Sequence, residues 1–263
     1  MEEKLTLSLV QMPIAVGDMV TNVARAYEHV VEAARRGSNL VVLPELWATG
    51  YDLESASHYV SPRTSGLFMD VARWAQELGI WIVGSLLERD GNAMYNTAHV
   101  ASPEGKIVAT YRKVHLFPLM DEHVYLQPGD GPVDVETPWG RVGLGICYDL
   151  RFPEFFLTYA YRDVSLILLP AEWPRPRLHH WRTLIQARAI ENQVFFAACN
   201  RVGTSADTTF CGHSMVVSPW GDILLEAGEQ EVLLTTQIDM RAVKEARKRI
   251  PVMTSRVQGG NQA

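Results

Sequence analysis

The chain is predicted to be an α/β protein whose sheets are covered by helices. Three observations carry that reading. Strand-like and helix-like apolar patterns alternate along its 263 residues. Strands such as Leu40-Val41-Val42-Leu43 are near-continuous apolar runs, as strands buried on both faces are. The length, with 47% apolar and 21% charged residues, suits one large globular domain over 1–263.

The first strand is Leu5 to Gln11. Asp18 then reads as a helix cap, and Val23, Tyr27, Val30 and Ala34 follow at helical spacing before Gly37 stops the helix. Asn39 to Leu43 is a buried strand ending in Pro44-Glu45. A second helix carries Leu67, Val71, Trp74 and Leu78 on one face and closes at Gly79. Ile80 to Leu87, Ala93 to Ala101 and Ile107 to Tyr111 form an antiparallel meander. Its turns are Asp90-Gly91-Asn92 and Pro103-Glu104-Gly105. Residues 113–131 read as a long loop rich in polar, Pro and Gly residues. Strand 141–146, helix 153–162, strand 164–169, a helix near 178–192 and strand 194–199 follow. Strands near 213–218 and 231–238 and a helix from about Met240 complete the order. The tail, 251–263, is polar and reads as loosely ordered or used in subunit contacts.

Charge and cysteine count exclude several function classes. Twenty-four basic and 30 acidic residues give a net charge of −6 with the signs scattered. The most basic stretch, Arg241 to Arg249, is a short helix face, so no nucleic-acid footprint is present. Three cysteines and eight histidines show no metal-ligand spacing, so neither a metal nor a disulfide framework is expected. The N-terminus lacks a signal-peptide layout, and no apolar run approaches the roughly 20 residues of a membrane span. A cytoplasmic location is the expectation.

Several strands end in a residue suited to chemistry. Cys147 closes the small-residue run Arg141-Val-Gly-Leu-Gly-Ile146, at a turn toward a helix. A thiol there lies at the rim of a sheet, next to free backbone N–H groups that can bind an oxyanion. A buried structural cysteine is the other reading. Glu45, just past a buried strand, is either a partly desolvated base or a surface carboxylate. Lys113, after the strand ending at Tyr111, is either an oxyanion-stabilising cation or an exposed loop lysine. A Cys/His pair using His115, His123, His179, His180 or His213 stays open, because such partners are spatial. Gly-x-Ser-x-Gly, Walker A and complete dinucleotide-loop patterns are absent.

In this order the segments Leu43-Pro44-Glu45-Leu46, Tyr111-Arg112-Lys113-Val114-His115-Leu116-Phe117 and Gly145-Ile146-Cys147-Tyr148-Asp149-Leu150-Arg151-Phe152-Pro153-Glu154 resemble the nitrilase superfamily of carbon–nitrogen hydrolases. Ala187 to Gln193, Gly212-His213-Ser214 and Pro219-Trp220-Gly221 extend the resemblance over nearly the whole chain. It implies an α-β-β-α sandwich, commonly paired as a homodimer through stacked helical layers, and no cofactor. It also implies roles. Cys147 would be the nucleophile, Glu45 the general base and later acid, and Lys113 the cation on the tetrahedral intermediate. Glu122 matches the second glutamate, with Asp121 its neighbour, and the Tyr148 N–H would complete the oxyanion hole. The chemistry needs such a set, because a thiol with a pKa near ~8.5 is only a few per cent ionised at neutral pH.

Asp149 to Glu154, Trp173-Pro174, His180-Trp181, Cys199 to Gly203 and Asp121-Glu122-His123 look most like the ω-amidase branch. That branch hydrolyses small ω-amides such as 2-oxoglutaramate and 2-oxosuccinamate. Its substrates carry a carboxylate, which a guanidinium binds in bidentate fashion. Arg151 is the candidate, with Arg175 and Arg177 in reserve; its other reading is a turn ion pair with Asp149 or Glu154. Trp173 and Tyr51 are expected to form the apolar wall of the pocket. Deaminated glutathione, N-carbamoyl compounds and nitriles are alternative substrates, and a non-catalytic interaction protein is the alternative of another class.

Overall fold

The computed structural model describes residues 2–255. The architecture follows from side-chain alternation. On β1 (Lys4–Gln11), Leu5, Leu7 and Leu9 join one buried cluster and Val10 joins another. After α1 (Met19–Arg35), β2 (Leu40–Val42) repeats the split, with Leu40 and Val42 on the first side and Val41 on the second. Helix α1 and α2 (Leu67–Leu78) press Ala26, Val30, Phe68 and Val71 onto the second side. Each such large apolar side chain contributes about 1.5–3 kcal/mol by leaving water.

The chain continues through β3 (Trp81–Asp90), β4 (Ala93–Ser102) and β5 (Lys106–Arg112), the expected meander. The long loop is partly helical, because α3 (Glu122–Tyr125) lies within it. The second half runs β6 (Asp134–Thr137), β7 (Gly140–Leu144), α4 (Pro153–Tyr161), β8 (Leu166–Ala171), α5 (Leu178–Asn192) and β9 (Phe195–Asn200). It ends with β10 (Val202–Ser205), β11 (Thr208–Cys211), β12 (Met215–Val217), β13 (Ile223–Glu226), β14 (Val232–Asp239), α6 (Arg241–Arg249) and α7 (Val252–Ser255). The rest of the expected tail, 256–263, lies outside the described residues.

Among the described residues two six-stranded sheets form, ordered β14-β1-β2-β3-β4-β5 and β13-β12-β9-β8-β7-β6. Their facing sides share the first cluster, in which Leu7, Val42 and Val100 meet Val142, Leu144 and Leu168. Helices α4 and α5 cover the outer side of the second sheet with Phe156, Tyr159, Trp181 and Ile185. The result is the expected α-β-β-α sandwich. Glycines explain how closely α4 sits. A Cβ on Gly143 would come within 3.0 Å of the Tyr159 ring, and one on Gly145 within 3.3 Å of Phe156. No helix among the described residues is long and apolar enough to cross a membrane.

Five strands differ from the sequence reading. Strand β6 and the β10–β11 hairpin are too short and polar to show apolar periodicity. Strand β13 is likewise hidden behind a turn. Strand β8 runs two residues past the expected end at 169, which brings Glu172 to the sheet rim.

Candidate active site

The parallel register of β2 with β3, and of β7 with β8, points the carboxyl ends of these strands the same way. The β3-β4-β5 meander returns β5 to the same direction. In such sheets ligands sit at the carboxyl ends of strands. Glu45, Lys113, Cys147 and Glu172 each follow one of these ends. A Glu45 N–H to Ala171 O bond of 3.5 Å ties the two sheets there.

Glu45, Lys113 and Glu122 come together with both carboxyls and the ammonium fully buried. Lys113 Nζ donates to Glu45 Oε1 at 2.8 Å and to Glu122 Oε2 at 2.7 Å. Asn96 Nδ2 donates to Glu45 Oε1 at 2.8 Å and to Glu122 Oε1 at 3.1 Å. The ladder supplies this neighbour, since Lys113 N–H bonds to Asn96 O. The Glu172 N–H holds Glu45 Oε2 at 2.9 Å, and the Phe117 N–H holds Glu122 Oε2 at 2.6 Å. Burial alone would lower the Lys113 pKa, but Glu122 and Glu45 outweigh it and hold the amine firmly protonated. Burial raises Glu122, and Lys113 offsets part of that rise.

Cys147 sits at the mouth of the same cluster. Its backbone is left-handed, with φ 42°, which is strained for a residue with a Cβ and typical of functional turns. Asp149 fixes the turn: its Oδ2 accepts from Ile146 N–H at 2.9 Å and from Tyr111 OH at 2.7 Å. His115 N–H reaches the other oxygen at 3.1 Å. Arg188, from the Ala187–Gln193 motif, donates to Leu150 O at 3.0 Å. Tyr148 is the second residue of a helical turn, Cys147–Arg151, where the first N–H groups lack intrahelical partners. The thiol faces Glu172 O at 3.7 Å. Burial, and then the Glu45 charge, push its pKa well above the ordinary range.

The structure revises parts of the pocket reading. Tyr51 is not simply an apolar wall, because its hydroxyl donates to Glu45 Oε1 at 2.8 Å. Trp173 does line the cavity beside Cys147, with Phe117, Tyr148, Arg151 and Arg177. Arg151 pairs with neither Asp149 nor Glu154 among the described residues. Its guanidinium lies 4.7 Å above the Trp173 ring and 3.4 Å from His180 Nδ1. Arg175 is bound to Glu229 at 3.1 Å instead. His115 and His213 are engaged with Asp149 and Glu226, and neither makes a pair with Cys147. The Cys147 cavity holds about 10 Å³ of free space, room for one water.

Sequence reasoning missed Asn96, Asp149 and Glu172 as parts of the site. Asp149 had a signal in its position two residues past the cysteine. Asn96 and Glu172 had none until strand register and strand length were known.

The carbon-nitrogen hydrolase family profile matches residues 6–248. The chain is 40% identical over 250 residues to the 2-oxoglutaramate amidase of Bacillus subtilis (strain 168), covering 95% of this chain and 96% of that protein. It is 36% identical to the omega-amidase NIT2 of Homo sapiens, covering 94% and 92%. A solved structure from Xanthomonas campestris, XC1258, described as a CN-hydrolase superfamily protein with an arsenic adduct in the active site, superposes with a TM-score of 0.90. It is 34% identical, with 98% of this chain and 100% of that chain covered.

Proposed function

The chain belongs to the carbon–nitrogen hydrolase family, and from that premise we propose that it hydrolyses small ω-amides of the 2-oxoglutaramate type to a dicarboxylate and ammonia. The observation that carries the reading is the buried Glu45–Lys113–Glu122 cluster beside a strained cysteine. Burying two carboxylates and an ammonium costs several kcal/mol per ion before pairing. Catalysis accounts for that cost better than packing does.

Glu45 takes the thiol proton as Sγ attacks the amide carbon. Sulfur–carbon bond formation places negative charge on oxygen, which Lys113 Nζ and the Tyr148 N–H receive. Glu45 returns the proton to nitrogen, the carbon–nitrogen bond breaks, and ammonia leaves a thioester. Glu45 then activates water, which cleaves the thioester and restores the thiol. Glu122 holds Lys113 in place. The neutral resting thiol agrees with deprotonation during attack. The acyl chain enters the cavity beside Cys147, which Phe117 and Arg177 wall through a cation–π contact at 5.5 Å. Arg151 meets the substrate carboxylate.

The test is ammonia release from 2-oxoglutaramate by the wild type and Cys147→Ala. Activity is expected only with the thiol; equal rates sink the mechanism. Propionamide and a nitrile as comparison substrates separate the ω-amidase reading from the other family activities.

A cytoplasmic homodimer completes the proposal. Ile190 and Trp220 leave apolar surface at the outer side of α5, 50% and 41% exposed, which suits stacking of helical layers. The three cysteines are thiols. Sedimentation of the wild type against Trp220→Glu tests the dimer, with a monomeric wild type ruling it out.

A further inference from the structure

A second cavity touches the Glu45 cluster from another side. Its volume is about 370 Å³, and its lining includes Tyr51, Glu172, Arg201, Ser205, Thr208 and Phe210. Both oxygens of Glu45 are held by residues of this wall: Oε1 by the Tyr51 hydroxyl and Oε2 by the Glu172 N–H. The Glu172 carboxyl is itself fully buried. Its Oε2 takes Arg201 Nη1 at 2.8 Å, while its Oε1 has no partner among the described residues. Arg201 also donates to Ile14 O at 2.7 Å and Ser205 Oγ at 3.0 Å, two further cavity residues, so the Glu172–Arg201 pair lies at the wall.

Charge and space say what fits there. Among the described residues the cations paired with Glu45, Glu122 and Glu172 are Lys113 and Arg201, which leaves one buried carboxyl in excess. The unmet Oε1 can hold the proton of a neutral Glu172 carboxyl, and once that proton is given up it is a bare acceptor that suits a small donor carrying positive charge. The cavity beside Cys147 has room for one water and is filled by the acyl group once the thioester forms. The larger cavity on the other side of Glu45 offers ammonia a second route.

We propose that the 370 Å³ cavity receives the leaving group, held as ammonium on Glu172 Oε1 before release. The inference rests on the amidase reading. The first proton on nitrogen comes from Glu45 as the carbon–nitrogen bond breaks. The second comes from the Glu172 carboxyl, which is left as a carboxylate paired with ammonium. Hydrolysis of the thioester yields an acid that ionises, and that proton returns to Glu172. Burial, opposed in part by Arg201, places the Glu172 pKa at about 7, which suits both steps.

The experiment is ammonium chloride inhibition of 2-oxoglutaramate hydrolysis, followed by 2-oxoglutarate formation, with tetramethylammonium chloride at equal ionic strength as the control. Tryptophan fluorescence of the substrate-free protein, which reports on Trp173 beside Glu172, is titrated with the same salts. Ammonium but not tetramethylammonium is expected to inhibit and to change the fluorescence of the wild type. Glu172→Gln is expected to weaken both effects at least about fivefold, and Thr208→Trp, which fills the cavity, to weaken the inhibition by as much. The Thr208→Trp result stands even where Glu172→Gln fails to fold. Unchanged ammonium inhibition in Thr208→Trp overturns the proposal, as does a wild type that responds alike to both salts. A wild type that binds ammonium but leaves 2-oxoglutaramate intact counts against the amidase reading alone.

Discussion

Glu45 and Glu122 share the same three hydrogen-bond donors: Lys113 Nζ, Asn96 Nδ2 and the Tyr51 hydroxyl. The donors are not equal. Lysine offers three protons and the amide two, so each can serve both carboxylates at once. Tyrosine has one, and its 2.8 Å contact to Glu45 against 3.3 Å to Glu122 shows which it favours. The site is therefore a closed network in which removing one member strands the others.

Lys113→Met leaves two buried carboxylates without a countercharge. Breaking a buried pair in this way costs about 3–5 kcal/mol of stability. Losing an oxyanion donor lowers kcat about 10²–10³-fold. The double variant Lys113→Met/Glu122→Gln removes one stranded charge. It is expected to regain part of the stability and none of the activity. Urea midpoints and kcat for the two variants check this; recovery of both together argues against Lys113 at the reacting centre.

Asn96→Leu tests the amide in the network. Hydrogen bonds to charged groups contribute about 1.5–3 kcal/mol. The variant is expected to lose about 10–100-fold in kcat with little change in KM, because Asn96 touches the carboxylates and not the acyl pocket. A loss confined to KM contradicts that placement.

The fold was legible wherever a local signal had a local cause. Asp18 caps α1 through its side chain to the Thr21 N–H, and Gly79 ends α2 in the left-handed conformation, as read from sequence. The Gly91-Asn92 turn joins β3 to β4 in the expected antiparallel pairing. Residues 113–131 looked structureless because their order comes from outside. Glu122 is held by Lys113 and by the Phe117 N–H, not by helical periodicity. The meeting of Glu45, Lys113, Glu122 and Cys147 followed from the family resemblance. Residue types and strand ends alone left each with a bland alternative. Asn96 and Glu172 stayed hidden because strand pairing, not sequence spacing, carries them to the cluster.

Arg151 is expected to read the carboxylate of the substrate. It lies on the Trp173 face within the Cys147 cavity and has no acidic partner among the described residues. Arg151→Ala should raise KM for 2-oxoglutaramate about 10–100-fold, the range of a charge-assisted pair. For propionamide, which has no carboxylate, KM should change by less than about twofold. Arg151→Lys should not restore the loss, since a point charge lacks the bidentate fork. Parallel losses on both substrates would assign Arg151 to holding the turn.

His99 gives the protein an acid weakness remote from the site. It lies on β4 facing α2, with Phe68 edge-on at 5.7 Å, and neither ring nitrogen has a partner among the described residues. Burial holds its pKa down at about 3, against 6.5 for a free imidazole. Between those values the unfolded chain carries a proton that the folded chain refuses. The unfolded state thus binds more protons, and stability falls as pH drops from about 6.5 toward 3. The slope from this residue is about 1.4 kcal/mol per pH unit. His99→Leu removes the group and the two unmet nitrogens, each of which costs about 1–3 kcal/mol when buried. The variant is expected to match or exceed the wild type at pH 7 and to gain on it steadily at pH 5.5 and 4.5. Urea midpoints at the three pH values measure the gap. A gap that stays constant across them would place the acid sensitivity elsewhere.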